Sequence, residues 1–328
     1  MPVQRLVTTL NTLLGVQHPV LLAPMAGVAG GALAGAVSRA GGFGLIGGGY
    51  CDPEWIGAEL ELAAATGAGD KIGIGFITWR LDTAPAVLDL ALAYAPRAVL
   101  LSFGDIAPYV QPIHRAGAQV IAQVQSVAQA RAARDAGADA IVAQGREAGG
   151  HAGERATFAL VPAVVDAVAP LPVIAAGGIA DGRGLAAALL LGACGAMLGS
   201  RFYASAESLA HQRAKARVIE SSGDETVRSP VFDRLRGWEW PADYALRTLA
   251  NATTSDFAAA PDMPLGAAER AAFAAASAAG DVERAAVVVG EAADLISSLP
   301  PAAVVLETII DEAAALLADA PRHLAAPR

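Results

Sequence analysis

The residue best suited to catalysis is a histidine in a glycine-rich loop. Residues 143–153 read AQGREAGGHAG, so four glycines lie close to His151. Glycines let a backbone approach a flat ligand and expose its amide N–H groups. Imidazole titrates near neutrality and therefore suits reversible proton transfer. We predict that His151 is a catalytic base; the competing interpretation is a polar loop histidine with no role.

Two further glycine loops predict a phosphate site. One reads AAGGIADGRG over residues 175–184, and the other reads LGSRF over residues 198–202. Gly177 and Gly178 would expose amides, a helix would begin near Asp181, and Ser200 would add a hydroxyl. Barrel enzymes often bind phosphate with the loops after strands seven and eight and a helix N-terminus, without needing lysine. The alternative is that these glycines only form tight turns.

Residues at other strand ends also point to a ligand. The backbone of Ala23-Pro-Met-Ala26 could follow the edge of a ring, with Met25 offering an apolar surface. Gln123 and Gln144 end two apolar runs, where an amide indicates either a ligand hydrogen bond or a bridge between neighbouring strands. The two cysteines, Cys51 and Cys194, are too few for a disulfide framework or a metal site, so we expect no metal and a reduced, cytoplasmic setting.

Eight short apolar runs must position these loops. Each is almost continuously apolar, which is typical of strands buried on both faces of a parallel sheet. A glycine such as Gly117 or Gly137 precedes several runs, where a helix must end and reverse. We predict a (β/α)8 TIM barrel, with a doubly wound open sheet as the alternative. The predicted strands are Val20–Met25, Phe43–Gly47, Ile72–Ile77, Ala98–Phe103, Gln119–Val124, Ala140–Gln144, Val173–Ala176 and Ala196–Gly199.

The rest of the chain predicts a smaller helical domain. No strand periodicity is evident after residue 203, and helices are expected at Tyr203–Ser221, Gly266–Ala279, Val282–Leu299 and Ala302–Ala320. We therefore predict a cofactor-binding barrel over residues 1–203 and a helical domain covering the substrate over 204–300. Residues 301–328 would form a C-terminal helix packed back on the barrel.

Composition excludes several classes of protein. The chain has 328 residues, 54% of them hydrophobic and 17% charged, which rules out intrinsic disorder. The formal net charge of −9 argues against nucleic acid as a partner, because binding phosphates needs a basic surface. Residues 6–38 carry no formal charge, but two prolines and several glycines interrupt them. We therefore expect no membrane span.

Five ordered motifs together resemble the nitronate monooxygenase family, formerly called 2-nitropropane dioxygenases. They are APMAGV (23–28), GIGF (73–76), AQGREAGGHAG (143–153), AAGGIADGRG (175–184) and GSRF (199–202). The run GEAADLI at 290–296 is similar to a diverged late motif of that family. Flavin-dependent enoyl-acyl-carrier-protein reductases share nearly the same glycine runs.

The resemblance implies bound FMN and oxidation of alkyl nitronates or nitroalkanes with O2 to carbonyl compounds and nitrite. His151 falls on the family's catalytic base. The remaining implied roles divide into phosphate, ring and ribityl contacts. Gly177, Gly178, Gly199 and Ser200 would hold the phosphate; Ala23, Pro24, Met25 and Ala26 would line the isoalloxazine; Gly75, Gln123, Gln144 and Gly149 would contact the flavin elsewhere.

Two residues depart from the family's pattern. Gly75 stands where many members have Asn, and Gln123 where many have Lys, so two donors near the flavin are missing. Two other functions stay open. One is an NAD(P)H-dependent FMN reductase acting on an enoyl thioester or a quinone, and the other is a non-catalytic flavin-binding barrel.

Overall fold

A computed structural model describes residues 6–68, 71–261 and 264–323. Its strands are β1 (Val20–Leu22), β2 (Gly44–Gly49), β3 (Ile72–Ile77), β4 (Ala98–Ser102), β5 (Gln119–Val124), β6 (Ala140–Gln144), β7 (Gly150–His151), β8 (Val173–Ala176), β9 (Gly195–Leu198), β10 (Thr226–Ser229) and β11 (Leu246–Leu249). Its helices are α1 (Thr9–Leu14), α2 (Gly31–Arg39), α3 (Pro53–Ala65), α4 (Thr78–Leu81), α5 (Ala86–Leu92), α6 (Ala107–Arg115), α7 (Val127–Ala136), α8 (Thr157–Val168), α9 (Gly182–Leu190), α10 (Ser200–Tyr203), α11 (Gln212–Ile219), α12 (Val231–Arg236), α13 (Ala252–Ala259), α14 (Ala267–Ala279) and α15 (Ala302–Asp319).

Eight parallel strands of the described chain form a closed barrel. Their order is β1, β9, β8, β6, β5, β4, β3 and β2. The two ends of this sheet meet, because Leu21 in β1 forms a parallel bridge with Phe43 just before β2. The predicted (β/α)8 fold is therefore confirmed, and the open-sheet alternative is wrong.

Alternate strand residues point to two different cores, which explains the continuous apolar runs. Leu21, Leu100 and Ile121 belong to an inner cluster that fills the barrel. Val20 and Leu22 belong to the outer cluster beneath the helices. Because both faces are buried, the period-two alternation of a half-exposed strand is absent from the sequence.

A short N-terminal helix fills one end of the barrel. Leu10 and Leu14 on α1 are fully buried and join the inner cluster. The Oγ1 atom of Thr8, which caps this helix, donates to the carbonyl of Cys194 directly before β9. The amino ends of the strands are thus covered, and the loops at their carboxyl ends surround the opening on the other side.

The strand predictions are accurate within this barrel. Four ranges agree at both ends, namely those of β3, β5, β6 and β8, and the other four differ by one to three residues. The predicted left-handed glycines are also confirmed, since φ is +81° at Gly117 and +101° at Gly137. These positions need glycine because a Cβ would be strained there.

Three predictions for residues after 203 are wrong. Strands β10 and β11 occur there and pair antiparallel, and β11 also pairs with β7 from the barrel loop. The single helix expected at Tyr203–Ser221 is interrupted, with α10 ending at Tyr203 and α11 beginning at Gln212. Residues 282–299 form an irregular segment with a short 3₁₀ helix at Glu291–Leu295 instead of an α-helix.

The irregular segment follows from its residue types and its neighbours. Val287, Val288 and Val289 are three consecutive β-branched residues, which lowers helix propensity. The carbonyl of Val287 accepts a hydrogen bond from the Leu249 amide, an extension of the β11 pairing. This contact satisfies the backbone without a helix.

The last helix, α15, packs against α9 and α2 on the outside of the barrel. Its buried side chains, Val305, Leu306, Ile309 and Ile310, join the outer core cluster. In the parts of the chain described above, no helix combines the length and apolarity needed to cross a bilayer.

Candidate active site

A cavity of about 480 Å³ opens at the carboxyl ends of the strands. All thirteen residues predicted to form the site line it: Ala23, Pro24, Met25, Ala26, Gly75, Gln123, Gln144, Gly149, His151, Gly177, Gly178, Gly199 and Ser200. They come from the loops after four of the eight barrel strands, β1, β6, β8 and β9, and from within β3, β5 and β6. His151 therefore lies on the same side of the barrel as the glycine loops.

The His151 backbone is held by the small second sheet. His151 pairs with Leu246 and Gly150 pairs with Arg247, so β7 forms the edge of the three-stranded sheet. The nearly buried Arg247 side chain donates to the carbonyl of Arg146 and forms a 2.7 Å ion pair with Glu291. These contacts join the histidine loop to two segments of the chain that follow the barrel.

Three side chains surround the His151 imidazole. Its Nε2 lies 2.8 Å from Oδ2 of Asp233, and the two side chains are only 8% and 4% exposed. The Trp240 indole stacks on the imidazole face with ring centroids 3.4 Å apart. Phe103 approaches edge-on at 6.2 Å. Phe103 has a φ of +60°, an unfavourable conformation for an aromatic residue that is characteristic of functional sites.

The surroundings of His151 favour its neutral form. Burial lowers the pKa of His151 below its ordinary 6.5, and the positive charges of Arg236 and Arg228 act in the same direction. The Asp233 carboxylate opposes this shift through its hydrogen bond and its charge. Because the net direction is downward, the imidazole is unprotonated at neutral pH and can accept a proton.

The glycine loops supply backbone donors to the cavity. In the part of the chain that the structure describes, the amides of Gly177, Gly178 and Ser200 have no hydrogen-bond acceptor. Gly177 and Gly178 have φ values of +94° and +72°, which only glycine adopts readily. The Ser200 hydroxyl accepts from the Gly290 amide at 2.9 Å. These donors could hold an anion.

The predicted role of the α9 N-terminus is wrong. The amides of Arg183 and Gly184 donate to the Asp181 carboxylate, and the Gly182 amide donates to Glu312 at 3.0 Å. The first-turn amides therefore already have acceptors, and two carboxylates oppose the binding of another anion. A phosphate would have to use the glycine amides and Ser200 alone.

The glutamines form the bridge between neighbouring strands that was one of the two roles left open by the sequence. Gln123 and Gln125 each donate through Nε2 to Oε1 of Gln144, at 3.1 and 2.9 Å. Neighbouring strands are thus bridged. Gln123 and Gln144 also line the cavity, and the Gln144 amide group remains as a possible donor to a ligand.

Two of the predicted glycines are also required by packing. A Cβ at Gly75 would lie 2.5 Å from Cβ of Pro24 and nearer still to its Cγ. A Cβ at Gly149 would lie 2.6 Å from the carbonyl carbon of Val289. Gly75 thus makes room for Pro24, and Gly149 permits close contact with the irregular segment.

Several cavity residues were not predicted from the sequence. Tyr50, Arg236, Trp238 and Trp240 line the opening, and Asp233 contacts His151 beneath it. Burial raises the pKa of Tyr203, another lining residue, to about 12, so its hydroxyl stays neutral. The aromatic stretch at 230–244 was a visible signal, but nothing in the sequence shows which side chains face inward. Trp79 and Tyr244 do not line the cavity.

Fold and site together define a TIM-barrel enzyme with a buried imidazole and a set of unpaired backbone donors in one cavity. The profile of the nitronate monooxygenase family matches residues 7–75 and 83–312. The chain belongs to this family and is an oxidoreductase.

Individual relatives agree with this assignment. Nitronate monooxygenase npaC from Metarhizium robertsii is 36% identical over 335 residues, covering 93% of each chain. FabK from Thermotoga maritima superimposes with a TM-score of 0.83 at 32% identity, covering 97% of this chain and 100% of that one. Nitroalkane oxidase from Streptomyces ansochromogenes gives a TM-score of 0.78 at 28% identity, covering 96% and 99%.

Proposed function

We propose that this enzyme binds FMN and oxidises alkyl nitronates and nitroalkanes with O2 to carbonyl compounds and nitrite. The observation that carries the proposal is the placement of His151 in one cavity with the unpaired amides of Gly177, Gly178 and Ser200. The family membership and the similarity to a nitroalkane oxidase support the substrate class.

The residues present fit FMN. The cavity volume lies within the range of roughly 300–1,000 Å³ that is usual for cofactor sites. Gly177, Gly178, Gly199 and Ser200 would hold the phosphate through neutral donors. The Pro24–Met25 segment would form an apolar wall for the ring, and the Gln144 amide would donate to a polar ring edge. When bound, FMN supplies the electron acceptor and the route to O2.

The protein's own groups would act on the substrate. His151, neutral at physiological pH, would take the α-proton of a nitroalkane and leave the nitronate anion. Trp238, Trp240 and Phe103 would exclude water around this step, which strengthens local electrostatic interactions. Arg236 at the opening would attract the anion. A nitronate that arrives already ionised would need the cavity but not the base.

The decisive experiment uses the purified protein reconstituted with FMN. Anaerobic mixing with ethylnitronate should bleach the flavin absorbance, and admitting O2 should restore it with release of nitrite and acetaldehyde. A Ser200→Ala variant should bind FMN several-fold more weakly but riboflavin equally well, because a lost hydrogen bond is worth about 1 kcal/mol. A protein that takes up FMN but does not react with any nitronate would overturn the proposal.

A second candidate is an NAD(P)H-dependent FMN reductase acting on an enoyl thioester or a quinone. It is favoured by the superposition on FabK along almost the whole chain and by the shared glycine runs. Anaerobic mixing with NADH or NADPH separates the two candidates. Rapid bleaching by a pyridine nucleotide, without any nitronate, would favour the reductase.

A further inference from the structure

We propose that Asp233 is a positioning residue that holds His151 with its proton on Nε2 and leaves Nδ1 as the base. This inference rests on the proposed function, because it assigns His151 a proton to accept. It concerns a residue that no motif of the barrel contains. Asp233 lies on α12, 82 positions after His151.

The contact is buried and specific. Nε2 of His151 and Oδ2 of Asp233 are 2.8 Å apart, and each side chain is more than nine-tenths buried. The second carboxylate oxygen, Oδ1, is also buried and has no hydrogen-bond partner among the described residues. In the described parts of the chain, the imidazole is therefore the one hydrogen-bond partner of this carboxylate. A buried carboxylate with so few partners is costly, so its placement next to the histidine points to a role there.

One small sheet positions both partners. His151 lies in β7, which pairs with β11, and β11 pairs with β10. Strand β10 ends at Ser229, and α12 begins two residues later with Asp233 in its first turn. The sheet therefore sets the His151 backbone and the start of the Asp233 helix in one rigid arrangement. The neighbours of Asp233 on α12, Val231, Phe232 and Leu235, are buried and fix the helix.

The remaining surroundings of the imidazole restrict it further. Trp240 stacks on one face, so the ring cannot turn out of its plane without losing that contact. With Nε2–H donating to Asp233, Nδ1 is the ring nitrogen available to a substrate. Arg236 on α12 and Arg228 on β10 are the nearby cations, and both disfavour an imidazolium. Asp233 is the group that offsets them.

The proton step balances within this arrangement. The C–H bond at the nitroalkane α-carbon breaks, and its proton moves to Nδ1 of His151. The electron pair stays with the substrate, which becomes the nitronate anion. The imidazole becomes an imidazolium. The negative charge of the Asp233 carboxylate stabilises this new positive charge through the existing Nε2–H hydrogen bond. No oxidant takes part in this step.

The test is an Asp233→Asn variant, which preserves the side-chain shape and removes the charge. ¹⁵N-histidine NMR of the FMN-reconstituted protein should show Nε2 protonated in the wild type. In the variant, the His151 pKa should fall, because the group that raised it is gone. The acid limb of kcat/KM for a neutral nitroalkane should move to lower pH with it, and kcat should fall about tenfold or more, less than on loss of His151.

Two controls accompany the measurement. His114 pairs with Asp139 at the same 2.8 Å distance outside the cavity, so its resonances should not move and serve as an internal reference. Asp256→Asn removes an exposed ion pair with Arg284 and should leave both the NMR titration and the pH profile unchanged. Assignment of the His151 signals follows from their absence in His151→Asn.

The outcomes separate this inference from the proposed function. An unchanged His151 titration and pH profile in Asp233→Asn, or a proton on Nδ1 in the wild type, would overturn the inference while nitronate oxidation stands. Lack of nitronate turnover in the wild type would overturn the proposed function instead. The NMR arm needs no turnover and would still report the coupling of the pair.

Discussion

The indole of Trp240 lies nearly parallel to the imidazole of His151, with the two planes 10° apart. Trp240 also contacts Phe103 edge-on at 5.0 Å and donates through Nε1 to the Tyr50 hydroxyl at 3.3 Å. Its position is thus fixed from three sides. The indole forms the wall of the cavity nearest to the predicted base, where it limits the size of a substrate.

Removing this wall should change substrate preference. We expect Trp240→Ala to raise kcat/KM for a branched nitronate relative to ethylnitronate by several-fold, since one methylene of pocket space is worth about 1 kcal/mol or more. Steady-state kinetics on the two substrates measure the ratio. Trp79→Phe is the control, because Trp79 touches Trp240 but does not line the cavity. An unchanged ratio in Trp240→Ala would remove Trp240 from substrate selection.

Loss of the base should affect only substrates that carry the proton. We expect His151→Ala to lower turnover of neutral nitroalkane by roughly 10²-fold or more, the usual contribution of a general base. Turnover of preformed nitronate should change little, because no proton has to be removed. Oxygen consumption with each form of the same compound tests this, and equal losses on both would contradict the assignment.

The pH dependence should follow from the lowered pKa of His151. A base acts only when unprotonated, so activity on a neutral nitroalkane should fall as pH drops through that pKa. Since burial places it below 6.5, the acid limb of kcat/KM should have its midpoint below 6.5. Preformed nitronate, assayed rapidly after dilution, should lack this limb. A midpoint above 6.5 would mean that Asp233 outweighs burial.

The barrel could be predicted because its signals are local. Strands buried on both faces appear as continuous apolar runs, and left-handed turns require glycine, as at Gly117 and Gly137. The glycine loops of the site could be predicted from local sequence too, because each loop directly follows a strand. The sequence does not show that the amides at the α9 N-terminus already have acceptors. One acceptor is Glu312, which lies 130 positions from Gly182, and no local pattern pairs the two residues.

The rest of the site depends on long-range pairing. Strands β10 and β11 are four residues each, too short to show a period, and they pair with each other and, through β11, with β7 from the barrel loop. The contacts of Asp233 and Trp240 with His151 form only once that sheet and the neighbouring helix α12 have folded. The Val287–Val289 run is extended because it packs against Leu249 and Gly149. No local sequence pattern predicts these contacts.

Position 75 should need a glycine for the protein to reach its full stability. The Pro24 ring fills the space that a Cβ would need, so Gly75→Ala should lower the free energy of unfolding by about 1–3 kcal/mol. Urea denaturation measures this. Gly57→Ala, where no atom lies within 4 Å of the new Cβ inside α3, should instead stabilise the protein by about 0.5–1 kcal/mol. Equal effects at both positions would contradict the packing argument.

Arg236 should contribute to the capture of an anionic substrate. Its side chain lines the cavity opening yet is exposed to solvent, so its attraction for a nitronate is limited to that of a surface charge. We expect Arg236→Gln to raise KM for preformed nitronate about two- to fivefold, as for an exposed ion pair. The effect should shrink at high salt, because mobile ions screen it. Arg234→Gln is the control: Arg234 lies on the same helix but donates to the Pro261 carbonyl away from the cavity. A KM increase that is equal in both variants, or independent of salt, would show that Arg236 acts through the packing of α12 rather than through its charge.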